Sequence, residues 1–165
     1  MIEIKSFLCL PDKVIKDIGE VLKRPADYFI DVSESTAVLD FVGDIDTSYV
    51  NGAILLTYYG QPIMDFRHWD LVDQLWSYIL NLLGDALTNG SAETCFPDQP
   101  TQLKLEMSEH VVHFTVDKQK YVLPRDEFVG QVTAAAMQFF EQMYRYFPNQ
   151  TSYTFEYHKA KQLHR

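Results

Sequence analysis

The chain reads as α+β: a mostly antiparallel sheet of about six strands with two long helices, about 69–87 and 124–147, packed on it. Three observations predict this class. Apolar residues recur at helical spacing through two long windows, alternate in several short ones, and turn-forming pairs separate the short windows. The chain has 165 residues, 47% apolar and 14% aromatic. That is enough for one core, so residues 1–165 read as one domain, and no repeat, low-complexity tract or linker divides them.

Taken in order, Ile2 to Cys9 reads as a strand. Pro11 to Lys23 carries Val14, Ile15, Ile18, Val21 and Leu22 at helical spacing, with Pro11 suited to a first turn and Pro25 closing it. Tyr28–Val32 and Ala37–Val42 read as a hairpin: a connection at Glu34-Ser35 would pair Val32 with Ala37, Ile30 with Leu39 and Tyr28 with Phe41 on one face. Gly52 to Tyr59, GAILLTYY, is apolar on both alternating faces and reads as a central, doubly covered strand.

The helix over Trp69–Leu87 presents Trp69, Val72, Trp76, Ile79, Leu83 and Leu87 as one stripe, and Asn89-Gly90 ends it. Asp70 and Asp73 fall in its first turns, where carboxylates suit the positive end of the helix dipole. Gln102–Met107, His110–Val116 and Gln119–Leu123 form a meander. A link at Ser108-Glu109 pairs Leu105 with Val112, and one at Asp117-Lys118 pairs Phe114 with Tyr121 and Val112 with Leu123. From Pro124 a helix presents Phe128, Val132, Ala135, Ala136, Phe139, Met143 and Tyr146 inward until Pro148 stops it. Tyr153–Tyr157 reads as an edge strand, and the residues from about 158 as a loose polar tail.

Charge is distributed unevenly. Residues 1–26 carry net +1 and residues 99–165 net +1, whereas residues 27–98 hold twelve acidic side chains and one basic, Arg67, within an overall −9. A solvated acidic face without a partner explains such a sum. Concentration in one segment adds a directed field, which repels nucleic acid and anionic membrane and attracts cationic partners. No secretory leader or apolar run of membrane-spanning length is visible, and Cys9 and Cys95 make no disulfide framework, so the chain reads as cytoplasmic.

The stretch 65-DFRHWDLVD-73 raises the question of a metal or catalytic cluster. On a helix His68 and Asp70 point in different directions, and catalytic zinc sites use three ligands with histidine dominant, so a wet helix face is favoured. His110 and His113 have a ligand-like H-x-x-H spacing, but three residues along a strand face opposite sides. His158, His164 and Glu156 lie in the tail. Cys95 has Glu93 and Asp98 as near neighbours, which disfavour a thiolate; Cys9 reads as a small buried hydrophobe. Spacing selects no glycosidase-like carboxylate pair. No phosphate loop, cofactor signature or basic stripe with interleaved aromatics is present.

What remains is the acidic field: Asp40, Asp44 and Asp46 in 40-DFVGDIDTSYV-50, and Asp65, Asp70 and Asp73 after the central strand. Nearby aromatics at Tyr49, Tyr58, Tyr59 and Trp69 are candidate anchors, Trp69 being the one best explained by the core. A compact acidic domain whose LWSYILNLL helix leads into ETCFPDQP resembles the immunity proteins of bacterial polymorphic toxin and contact-dependent inhibition systems. The resemblance covers general architecture, charge and residues 66–100. It implies a non-enzymatic protein that binds a cognate basic toxin, often a nuclease, and blocks its active site. Asp40, Asp44, Asp46, Tyr49, Tyr59, Asp65, Asp70 and Asp73 are the expected partner-binding residues, with no metal and no cofactor. Two alternatives stand beside it. One is a small hydrolase or metal-dependent enzyme using acids of segment 40–73 with His68; the other is a structural homodimer.

Overall fold

A computed structural model describes residues 1–164. The class is α+β with antiparallel sheets, but there are two sheets rather than one. The first contains β1 (Ile2–Cys9), β2 (Phe29–Asp31), β3 (Asn51–Tyr58), β4 (Gln61–Met64) and the short β5 (Asp70–Leu71). Its order is β2-β1-β3-β4, with β5 beside the start of β3. The second is the meander β6 (Ser91–Cys95), β7 (Gln102–Met107), β8 (Val111–Val116) and β9 (Gln119–Pro124).

β3 is central, as its two apolar faces predict. It pairs with β1 from Ile2↔Tyr58 to Leu8↔Gly52. Ile54 and Leu56 point into the main core, while Ala53 packs in a second cluster on the opposite face with Val21 and Phe29. Tyr59 and Gly60, with φ of 48° and 77°, make the two-residue turn to β4. Both lie in the left-handed region that such a turn requires.

α3 (Val72–Asn89) and α4 (Arg125–Tyr146) are the two long helices. Both sheets close on them. Ile54 and Leu56 from the first sheet, Leu105 and Phe114 from the second, and Trp76 and Phe128 from the helices belong to one cluster. Gly90, at φ 88°, caps α3 in the left-handed conformation, and the chain enters β6 at once. β6, SAETC, has no strand signal in the sequence, because small polar residues carry little apolar alternation. It pairs fully with β7, from Ser91↔Glu106 to Cys95↔Gln102.

Other elements differ from expectation for identifiable reasons. α1 covers only Ile18–Lys23, because the Asp17 carboxylate accepts the Gly19 N–H at 2.9 Å and caps the helix there. Val14 upstream is 72% exposed and gives a longer helix nothing to bury. The 28–42 hairpin does not form. β2 pairs with β1 instead, and Asp31 accepts from the Ser33 N–H and Oγ, turning the chain into a short helix α2, Ser35–Leu39. α3 begins at Val72, so Trp69 and Asp70 lie outside it.

The β8–β9 register is the expected one, with Phe114↔Tyr121 and Val112↔Leu123. Between β7 and β8 it is shifted by two residues, giving Leu105↔Phe114, because the Ser108 N–H bonds the Val111 carbonyl across a longer loop. A shift of two preserves the buried face. The 153–157 edge strand is a correction: Thr151–Leu163 is helix α5. It packs on α4 through Tyr153 and Ala160, both buried, and the His164 ring meets Thr133 Oγ1 at 2.7 Å. Among the described residues no helix is long and apolar enough to cross a membrane.

Candidate functional site

The six aspartates singled out by sequence fall into two groups with different surroundings, and Tyr49 and Tyr59 are placed apart from each other. Asp65, Asp70 and Asp73 are tied into the fold. Asp65 caps the 3₁₀ turn Phe66–His68: its carboxylate accepts the Arg67 N–H at 2.9 Å and the guanidinium at 2.7 Å, while its own N–H donates to His68 Nδ1 at 3.0 Å. Burial alone would raise its pKa, but the Arg67 guanidinium and N–H on the carboxylate hold it well below the usual carboxylate range.

Asp70 is 1% exposed and is not a helix-face residue. Its carboxylate accepts the Leu71 N–H at 2.6 Å, the Asp98 N–H at 3.1 Å and the Gln99 N–H at 2.8 Å. The Gln99 amide in turn donates to the Trp69 carbonyl. One aspartate thus anchors the 96–100 loop to the loop that enters α3. That use removes it from any surface a partner could touch.

Asp73 accepts from Tyr153 Oη at 2.8 Å and from the Gln74 N–H. Burial raises its pKa, partly offset by those bonds. The acids and His68 of the 65–73 stretch therefore serve turns, loops and helix contacts. Among the described residues no three His, Cys, Asp or Glu side chains are grouped to hold a metal ion. His110 is exposed in the β7–β8 loop and His113 lies on β8, so the two do not converge. Burial, and then Asp12, push the Cys9 thiol up to about 11, in line with a packed rather than reactive cysteine.

Asp40, Asp44 and Asp46 are exposed. Asp40 ends α2, Asp44 closes the 3₁₀ turn Val42–Asp44, and Asp46 accepts the Ser48 N–H at 2.9 Å in a local turn. Among the described residues no lysine or arginine forms an ion pair with any of the three. The lobe that carries them is pinned by Val38 and Val50, both buried, and by the Gln150 amide, which donates to Thr47 Oγ1 at 3.0 Å. Asp44, Asp46 and Tyr49 line a groove of about 180 Å³ with Leu10, Pro11 and Lys13.

Tyr49 is 66% exposed and Leu39 57%, so the acids stand among apolar side chains. Sequence reading overlooked Leu39, which it placed on the buried face of a hairpin. Helical spacing from Val38 was the available signal. Tyr59, 74% exposed and packed edge-on against Tyr58, lies at the far end of β3. Eight strand residues span about 25 Å, so Tyr49 and Tyr59 do not share one patch.

The arrangement offers unpaired negative charge beside solvent-exposed apolar groups on a lobe held at Val38, Val50 and Thr47. No family model, no curated protein and no solved structure matches the chain.

Proposed function

We propose that this chain is a non-enzymatic binding protein that neutralises a cationic protein, in the manner of the bacterial toxin immunity proteins it resembles, through the lobe of residues 34–49. A single observation carries the reading: Asp40, Asp44 and Asp46 are exposed and without a cationic partner of their own, beside the exposed Leu39 and Tyr49. Carboxylates placed where phosphates would sit complement a basic nuclease. Their field raises the association rate toward about 10⁸ M⁻¹s⁻¹ at low salt, and apolar anchors such as Tyr49 slow dissociation. Asp65, Asp70 and Asp73 contribute to the field but not to direct contact.

The test begins with the protein immobilised and exposed to lysate of the cells that produce it. The retained cationic protein is then purified and its association measured by stopped flow. Replacing Asp40, Asp44 and Asp46 with Asn together should slow association about tenfold at low salt and flatten its salt dependence, with dissociation little changed. An association rate unaffected by the three substitutions overturns the assignment of the lobe.

A further inference from the structure

A second surface of the same acidic segment has the form of a strand-docking slot. The outer face of the first sheet is incompletely covered. Phe7, Phe29 and Phe66 meet there, with Phe66 ring centroids 5.0 Å from Phe7 and 4.8 Å from Phe29. They floor an open groove of about 500 Å³ walled by Pro25 and Ala26, with Asp31 at its rim.

The groove runs along an unpaired strand edge. The Leu10 N–H donates to the Tyr28 carbonyl and the Val32 N–H to the Ser6 carbonyl, so the even-numbered residues of this stretch turn their backbone toward β1. Antiparallel pairing alternates, and the backbone of Phe29 and Asp31 therefore points outward at the end of the sheet. The Asp31 carbonyl is taken by the Glu34 N–H. The Phe29 N–H and C=O and the Asp31 N–H are left for an added strand.

Charge says which strand. Asp27, Asp31 and Glu34 flank the edge, and of the cations that border the groove in sequence, Arg67 is paired with Asp65 at 2.7 Å and Arg24 lies 3.9 Å from Glu20. A second copy of this chain would set like charges against each other across the new pair, which is unfavourable. We propose that the β2 edge with its aromatic groove takes an extended segment of the cationic partner, an apolar side chain seated on Phe7, Phe29 and Phe66 and lysines or arginines facing Asp27 and Glu34. This rests on the reading of the chain as a binder of a cationic protein and adds how a segment of that partner is held. Leu10 lines both this groove and the one beside Asp44 and Asp46.

The probe is a synthetic heptapeptide, Lys-Val-Lys-Phe-Lys-Val-Lys, titrated into the isotope-labelled full chain and followed by amide NMR and hydrogen exchange. Saturable binding below about 1 mM is expected, with exchange of the Phe29 and Asp31 amides slowed about tenfold. N-methylating the peptide amides that face the edge should weaken binding about tenfold, as should a Glu-for-Lys peptide. Ala26→Arg, at an exposed position, should block the groove. The wild-type exchange data stand by themselves if that variant fails to fold. Absence of binding, equal binding of the N-methylated peptide, or a dimer in sedimentation that protects the same amides overturns the slot. Shifts confined to Asp40–Asp46 also overturn it while leaving the broader reading intact. Protection at β2 together with a captured partner indifferent to the Asp40, Asp44 and Asp46 substitutions supports the slot and removes the lobe instead.

Discussion

Asp44 and Asp70 belong to the same acid-rich stretch, yet one stands in solvent without a cationic partner and the other is 1% exposed with several backbone N–H groups on its carboxylate. The difference lies in what the neighbouring backbone needs. Around Asp70 two irregular loops meet, and their N–H groups have no strand or helix partner. A buried carboxylate is the acceptor that satisfies several at once. Around Asp44 the turns close on themselves through main-chain bonds, such as Asp44 N–H to the Phe41 carbonyl, so the side chain is left over. An acidic segment can therefore serve structure in one half and recognition in the other. Only the second half carries the proposed function.

Substitutions separate the halves. The largest effect should come from Gly52→Ala, where β3 meets Asp70 of β5. An added Cβ would sit 2.1 Å from the Phe7 carbonyl oxygen and 2.7 Å from Val72 Cγ1. The expected loss is about 4 kcal/mol in urea unfolding. Asp70→Ala should follow at about 3 kcal/mol, since it strands buried N–H donors. Its signature beyond stability is faster hydrogen exchange at Asp98 and Gln99.

Next come two neighbours with opposite pH dependence. Asp65→Asn should lose about 1 kcal/mol at neutral pH by weakening a cap. Because the folded protein lowers the Asp65 pKa, its contribution is complete above the unfolded value near 3.8 and is lost progressively as pH falls from there through the lower folded value. Asp73 has the reverse sign. Burial raises its pKa, so stability is fullest below the unfolded value near 3.8 and declines as pH rises through the carboxyl range. Asp73→Asn, still able to accept from Tyr153, should abolish that decline. Urea midpoints between about pH 2 and 7 follow the Asp73 decline and the onset of the Asp65 loss. The smallest effect belongs to Asp40, Asp44 and Asp46: their joint conversion to Asn should change stability by no more than about 0.5 kcal/mol. A large loss there would erase the contrast.

Much of the scaffold was legible because periodicity reports burial. The stripe Phe128–Val132–Ala136–Phe139–Met143 and the Phe114–Tyr121 pairing came directly from apolar spacing. Where tertiary contacts override local preference, the sequence misled. The aromatic and β-branched run 153-YTFEY-157 resembles a strand, but only Tyr153 of its aromatics is fully buried while Phe155 is 67% exposed, a helical distribution set by packing on α4. β6 turns only Ala92 and Thr94 inward, too little apolar surface to register as alternation. Within the site, Asp40, Asp44 and Asp46 are exposed, although the hairpin expected to end beside them does not form. The burial of Asp70 was not legible, because its acceptors' partners, Asp98 and Gln99, are distant in sequence and bond through backbone atoms that leave no trace in residue identity.

The most direct test compares the association rate of the captured cationic protein with wild type, with the Asp40, Asp44 and Asp46 to Asn triple variant, and with Asp65→Asn, across ionic strength. The two-role account predicts that the triple variant is slowed about tenfold at low salt, converging with wild type as salt rises, and that Asp65→Asn stays within about twofold of wild type. Equal slowing by Asp65→Asn and the triple variant, or none by the triple variant, would contradict it.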